Sequence, residues 1–217
     1  MTERFSSRAD PPHDCDLCAR LSAFRDANRA AEPEWHNAPV ATFGSPRARL
    51  LVVGLAPGLK GANRTGRPFT GDYAGDLLYE TLSKFGFSRG RYDRRPDDGL
   101  ELVDASITNA VRCVPPQNKP VGAEMRACRP FLATTVAEHT GLEAVLALGR
   151  IAHDNVLSTL ELPRSAYTFA HNASHDLGRF RLFDSYHCSR YNTNTGRLTP
   201  EMFEAVFRNI RVHLDAD

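Results

Sequence analysis

Two short apolar runs do most to limit what this chain can fold into: Arg49-Leu50-Leu51-Val52-Val53 and Glu143-Ala144-Val145-Leu146-Ala147-Leu148. Each is too short for a helix and lacks the polar alternation of a strand with one wet face. Such runs mark parallel strands buried on both sides. Residues 105–111 read as another strand between them, and residues 179–184, where Phe180 and Leu182 alternate with Arg181 and Phe183, as a fourth. The stretches between are helical in period. Residues 74–85 place Leu77, Leu78, Thr81, Leu82 and Phe85 at three- and four-residue spacing. Residues 122–139 come as a helix after the Pro115-Pro116 turn, residues 150–160 follow a strand at once, and residues 15–31 put Leu21 and Phe24 on one face. Thr199-Pro200 supplies an N-cap with proline at the first helical position. Behind it Phe203, Val206, Phe207, Ile210 and Leu214 form the core stripe of a last helix. Strand and helix alternate, so the expected class is α/β: three layers, α/β/α, around a central, mostly parallel sheet. Residues 88–99 read as a charged loop. Residues 1–14, polar and proline-containing, are expected to be poorly ordered. No repeat or linker divides residues 15–217, which read as a single domain.

A chain of 217 residues can bury a sizeable core without disulfides. No stretch reaches the roughly 20 apolar residues of a membrane span, and the polar start lacks the apolar centre of a signal peptide. A cytoplasmic protein with reduced thiols is the expectation. The net charge is +1, so total charge decides nothing. Three windows nevertheless hold no acid: residues 56–71 with Lys60, Arg64 and Arg67, residues 106–121 with Arg112 and Lys119, and residues 185–199 with Arg190 and Arg197. Locally basic loops on a neutral chain suit an anion such as a phosphate backbone. Windows of this length also arise by chance.

Four of the five cysteines fall as Cys15-x2-Cys18 and Cys113-x14-Cys128. Thiolates are soft ligands for zinc or iron–sulfur clusters. The first pair can converge from one turn; the second needs the fold to bring its members together. Zinc ribbons more often show two CxxC knuckles, and on spacing alone a cluster, zinc and unrelated buried thiols all stay open. The fifth, Cys188, reads as a small filler residue.

Two loops after strands carry the remaining signal. Gly54-Leu55-Ala56-Pro57-Gly58 is neither a P-loop nor a dinucleotide fingerprint, yet its glycines let backbone N–H groups point past a strand end. Asp72, after a run ending Phe69-Thr70-Gly71, suits a helix N-cap. His187 opens His187-Cys188-Ser189-Arg190-Tyr191-Asn192, and a lone histidine in an uncharged setting is more often structural than catalytic.

Taken together, GLAPG (54–58), GANRTGRPFTGD (61–72), TNAVRCVPP (108–116) and HCSRYNTNTGRLT (187–199) resemble the iron–sulfur branch of the uracil-DNA glycosylases, and within it family 5, the broad-specificity type. The likeness runs from about Cys15 to the last helix. It implies one [4Fe–4S] cluster on Cys15, Cys18, Cys113 and Cys128, and a monomeric, nucleoid-associated repair enzyme acting on DNA that holds a deaminated base. The sister family 4 carries glutamate at the second position of the first motif; here that position is Leu55, followed by Ala56, so no side chain there can move a proton. Cys188 stands where proline is common.

The resemblance also implies roles. A base inside a duplex must be turned out to be reached. Phe69 would stack on it, Asn109 would read its edge, and Gly54, Leu55 and Ala56 would wall the pocket. His187 would donate a hydrogen bond as charge develops on the leaving base. Asp72 would stabilise the sugar cation or orient water. A loop of Ser189, Arg190, Tyr191 and Asn192 would follow the phosphates and enter the stack. The rival readings are an enzyme of nucleotide or nucleoside metabolism on the same scaffold, and a non-catalytic iron–sulfur nucleic-acid-binding module.

Overall fold

The computed structural model describes residues 9–216. In chain order the main elements are α1 (Ala19–Ala31), β1 (Phe43–Gly44), β2 (Leu50–Gly54), α2 (Ala62–Thr65), α3 (Tyr73–Lys84), β3 (Ser88–Arg89), β4 (Glu101–Leu102), β5 (Ala105–Asn109), α4 (Gly122–Glu138), β6 (Ala144–Leu148), α5 (Arg150–Thr159), β7 (Ser174–Asp176), β8 (Arg181–Ser185), α6 (Arg190–Asn194) and α7 (Pro200–Leu214). Six strands form one sheet in the order β1-β5-β2-β6-β8-β7. The four inner strands are parallel and the two edges antiparallel.

The apolar runs explain the layers. Every residue of β2 is buried, and alternate side chains serve opposite faces, as a two-residue period requires. Leu50 and Val52 join the core of α3 and α7, with Leu78, Leu82, Phe203 and Phe207. Leu51 and Val53 join the core of α4 and α5, with Leu132, Val136, Val156 and Leu157. The sheet is therefore covered on both faces, the α/β/α arrangement expected. Thr199 caps α7 by accepting from the Met202 N–H at 3.2 Å, and all five residues of its apolar stripe are buried.

The departures are local. The edges β1 and β7 carry no apolar run and were not expected; they are two and three residues long, as edge strands that avoid self-association often are. The charged loop of residues 88–99 instead starts as β3, pairs with β4, and encloses a buried ion pair described below. The segment of Ser189 to Asn192 is not a loop. It opens the short helix α6, with Ser189 as N-cap accepting from the Asn192 N–H. Of the N-terminal stretch, residues 1–8 lie outside the described residues. Asp10 is tied down: its carboxylate accepts from Arg112 Nη1 at 2.7 Å and from the Thr42 N–H at 3.0 Å.

Candidate active site

Ligands of open α/β sheets bind beyond the carboxyl ends of the strands, and here the ends of β2, β5 and β8 converge on a cavity of about 610 Å³. Its wall includes Leu55, Ala56, Phe69, Asp72, Asn109 and His187. Gly54 and Asn109 are register partners at the last pair of β2 and β5. A Cβ at Gly54 would strike Asn109 Oδ1 and come within 2.6 Å of Phe69 Cζ. Only glycine lets both side chains meet over the strand end.

Each polar group has a distinct setting. Asn109 is 2% exposed, and its Oδ1 has no hydrogen-bond partner among the described residues. A buried acceptor left unpaired costs roughly 1–3 kcal/mol, so it marks a place prepared for a donor from outside. The rings of Phe69 and His187 stack at 6.0 Å between centroids, tilted by 29°. Burial alone drives the His187 pKa down to about 4, which makes it a neutral imidazole at pH 7. Asp72 caps α3, its Oδ1 accepting from the Gly75 N–H at 3.3 Å. Its Oδ2 faces the glycine loop: a Cβ on Gly58 would sit 3.0 Å away, and one on Gly61 would collide. Burial raises the Asp72 carboxyl above its ordinary value, against the pull of the Gly75 and Ala74 N–H groups.

Sequence reasoning missed Asn118. It lines the same cavity and has φ +57, as does Gln117 before it. Two successive left-handed residues turn the chain sharply back after Pro115 and Pro116; the asparagine after that proline pair was the available signal, since asparagine tolerates this region.

The α6 residues divide. Ser189 lines the cavity and caps its helix, while Asn192 Nδ2 donates to the His187 carbonyl at 2.8 Å and so holds the histidine's backbone. Arg190 lies over the Tyr73 ring at 5.3 Å, and Tyr191 is 73% exposed. Two of the windowed cations are not surface charges: Arg67 and Arg112 are both buried, the first paired with Asp98 and the second with Asp10. Lys60, Arg64, Lys119, Arg190 and Arg197 remain exposed.

The other four cysteines meet behind the pocket. Cys15, Cys18, Cys113 and Cys128 line one small chamber with Leu21, Val111 and Phe131. Ala56 packs against this cluster while also walling the first cavity. Arg25 donates to the Cys15 carbonyl at 2.6 Å, and the Arg112 N–H donates to Cys128 Sγ at 3.3 Å. Burial pushes the Cys18 thiol up to about 11 and Cys113 to about 12, each raised further by the neighbouring thiols. The group of three ligand atoms within 4.8 Å of one another, among the described residues, is not drawn from these sulfurs; it is His153, His175 and Asp184. Its members hydrogen-bond to one another and to the backbone. His153 Nδ1 donates to Asp184 at 2.7 Å and its Nε2 to the Tyr167 carbonyl at 2.9 Å. Asp184 and the Tyr167 carbonyl thus both favour the charged form of the His153 ring. Burial opposes this charge, but Asp184 outweighs it and the pKa is raised.

The family model for the uracil DNA glycosylase superfamily matches residues 41–211, which span every strand of the sheet and every wall of the cavity. The chain belongs to that superfamily. Among its curated relatives, the type-5 uracil-DNA glycosylase of Thermus thermophilus is 46% identical, over 87% of this chain and 89% of its own length. That of Mycobacterium tuberculosis is 40% identical over 91% and 77%, and that of Pyrobaculum aerophilum 38% identical over 89% and 86%. As a member of this superfamily the chain is an enzyme, a DNA glycosylase. No helix among the described residues is long and apolar enough to cross a membrane.

Proposed function

We propose that this chain removes uracil, and with it other deaminated bases such as hypoxanthine and xanthine, from DNA by hydrolysing the N-glycosidic bond. The observation that carries the reading is the unpaired Asn109 Oδ1, buried where Phe69 and His187 form adjoining walls. An extruded base enters this cavity because it cannot be reached within the stack. Phe69 covers its face. Asn109 accepts from a ring N–H through Oδ1 and donates from Nδ2 to the neighbouring carbonyl, the complementary pair that a uracil edge offers.

Bond breaking leaves negative charge on the base and positive charge on the sugar. His187, neutral, donates an N–H to the base oxygen as its charge grows, and the backbone N–H groups of the Gly54 loop add to this. The Asp72 carboxylate faces the opposite charge: Oδ1 is fixed by the cap, and Oδ2 is free to stabilise the sugar cation or orient the attacking water. Leu55 and Ala56 contribute no charge. Discrimination thus rests on how well the base leaves, which favours deaminated bases over normal ones. Arg190, exposed at the rim of the cavity over Tyr73, suits a phosphate, and the exposed Tyr191 suits the gap left in the stack.

The four-cysteine chamber suits one [4Fe–4S] cluster. Its donors are soft, its lining is apolar, and Cys128 already receives an N–H hydrogen bond, as cluster sulfurs do. A single tetrahedral zinc would need sulfurs about 3.8 Å apart, from a Zn–S bond of about 2.3 Å; the sulfurs do not form such a set. The cluster would tie α1 to the β5 extension and α4, with no part in the hydrolysis. The deciding experiment uses duplexes with one uracil, hypoxanthine or xanthine, incubated with the enzyme and then treated with alkali to cut abasic sites. Cleavage at all three lesions supports the reading; cleavage at uracil alone removes the link between the uncharged Leu55 wall and broad specificity.

A further inference from the structure

The ring assigned to base stacking is held in an unusual place. Phe69 has φ +53, a left-handed region that a bulky side chain rarely adopts. Something must hold it there, and the restraint comes from the segment between β3 and β4. Tyr92 Oη donates to the Phe69 carbonyl at 3.2 Å and accepts from the Gly71 N–H at 3.3 Å. One hydroxyl thus bridges the backbone on both sides of Thr70. Its ring stacks on Tyr79 at 4.4 Å, and Tyr79 Oη donates to the Pro68 carbonyl at 2.7 Å.

The same segment is anchored by charge. Arg67 meets Asp98 through two hydrogen bonds of 2.8 and 2.7 Å, with both side chains almost fully buried. The Arg67 guanidinium also lies 5.3, 5.4 and 5.7 Å from the centres of the Phe43, Tyr79 and Tyr92 rings. No slack is left at the contact: a Cβ on Gly75 would strike the Phe69 carbonyl oxygen and lie 2.6 Å from Tyr92 Oη. Glycine at that point of α3 is what lets the helix close on the bridge.

We infer that Tyr92 is a positioning residue for base stacking: its hydroxyl fixes the backbone of Phe69 and Gly71, and so sets both the ring and the start of α3 at Asp72. This rests on the reading of Phe69 as the stacking residue. Tyr92 touches no substrate; it acts through the loop. The Arg67–Asp98 pair holds the Tyr92 segment against the same loop.

Tyr92→Phe removes the hydroxyl and keeps the ring against Tyr79 and Arg67, so the fold is preserved. The test is a double-mutant cycle with Phe69→Ala, read as single-turnover cleavage of a uracil duplex and as affinity for a duplex with an abasic analogue. We expect Tyr92→Phe to slow cleavage about tenfold with Phe69 present and less than about twofold in Phe69→Ala, because coupled residues fail to add. Affinity for the abasic duplex, which offers no base to stack, should stay within about twofold in both backgrounds. Equal losses in both backgrounds would overturn the inference, since the hydroxyl would then act on something other than the ring. Wild-type cleavage by Tyr92→Phe beside a slowed Phe69→Ala would overturn it too, with the stacking role intact. Unslowed cleavage by Phe69→Ala would instead overturn the stacking role, and the inference with it.

Discussion

Two cavities lie near the carboxyl ends of β2 and β5, Ala56 lining one and packing against the residues around the other, and they are built on opposite rules. The cysteine chamber is small and apolar, its thiols raised by burial and by one another. The other cavity is open and leaves polar groups poised: an unpaired amide oxygen, a neutral imidazole and a carboxylate raised by burial. A small apolar chamber lined by four thiols stabilises a fold, whereas a cavity with unpaired polar groups stabilises something that passes through. The first should report in folded yield and metal content, the second in rate.

The sharpest break between them lies in the catalytic pair. His187→Ala should slow single-turnover cleavage of uracil by about two to three orders of magnitude, the size typical of losing one donor to developing negative charge. Asp72→Asn should follow with a loss of at least about tenfold, leaving binding to an abasic duplex nearly intact because the carboxylate acts on the transition state. Near-normal cleavage by Asp72→Asn would reduce this residue to the helix cap it also is.

The chamber should respond in the other currency. The anaerobically purified protein should be brown, with about four irons and four sulfides per chain. Cys15→Ala should lose the iron and much of the folded yield; Cys188→Ala, which changes a buried thiol outside the chamber, should keep both. Stoichiometric zinc without visible absorption would remove the cluster from the account.

Legibility followed the same division. The inner strands β2 and β6 and the long helices were readable because burial on both faces leaves uninterrupted apolar runs and clean helical stripes. The edges β1 and β7 were not, since two or three residues against one neighbour leave no pattern. Within the site, Phe69, Asp72, Asn109 and His187 come together as the motif resemblance implied, but the residues that hold them do not announce themselves. Tyr92 and Asp98 lie in a stretch whose composition says only that it is charged. Charge windows misled for a related reason: Arg67 and Arg112 found their acids at Asp98 and Asp10, far away in sequence and close only after folding.

A smaller effect belongs to the exposed cations. Arg190→Ala should flatten the slope of log K against log salt by about one unit or less, as expected for one phosphate contact. An unchanged slope and affinity would take Arg190 off the DNA surface.

The central claim is that the open cavity works through an uncharged histidine, and the pH dependence of single-turnover cleavage tests it most directly. A histidine at its ordinary value of about 6.5 would titrate within the working range; His187, held near 4 by burial, stays neutral through it. The wild-type rate should therefore be flat from about pH 8 down through 6.5 and fall only at lower pH, as His187 and the raised Asp72 carboxyl take up protons. A rate that rises as pH drops through about 6.5, with the rise abolished in His187→Ala, would mean that the working form is the imidazolium, and the account of this site would be wrong.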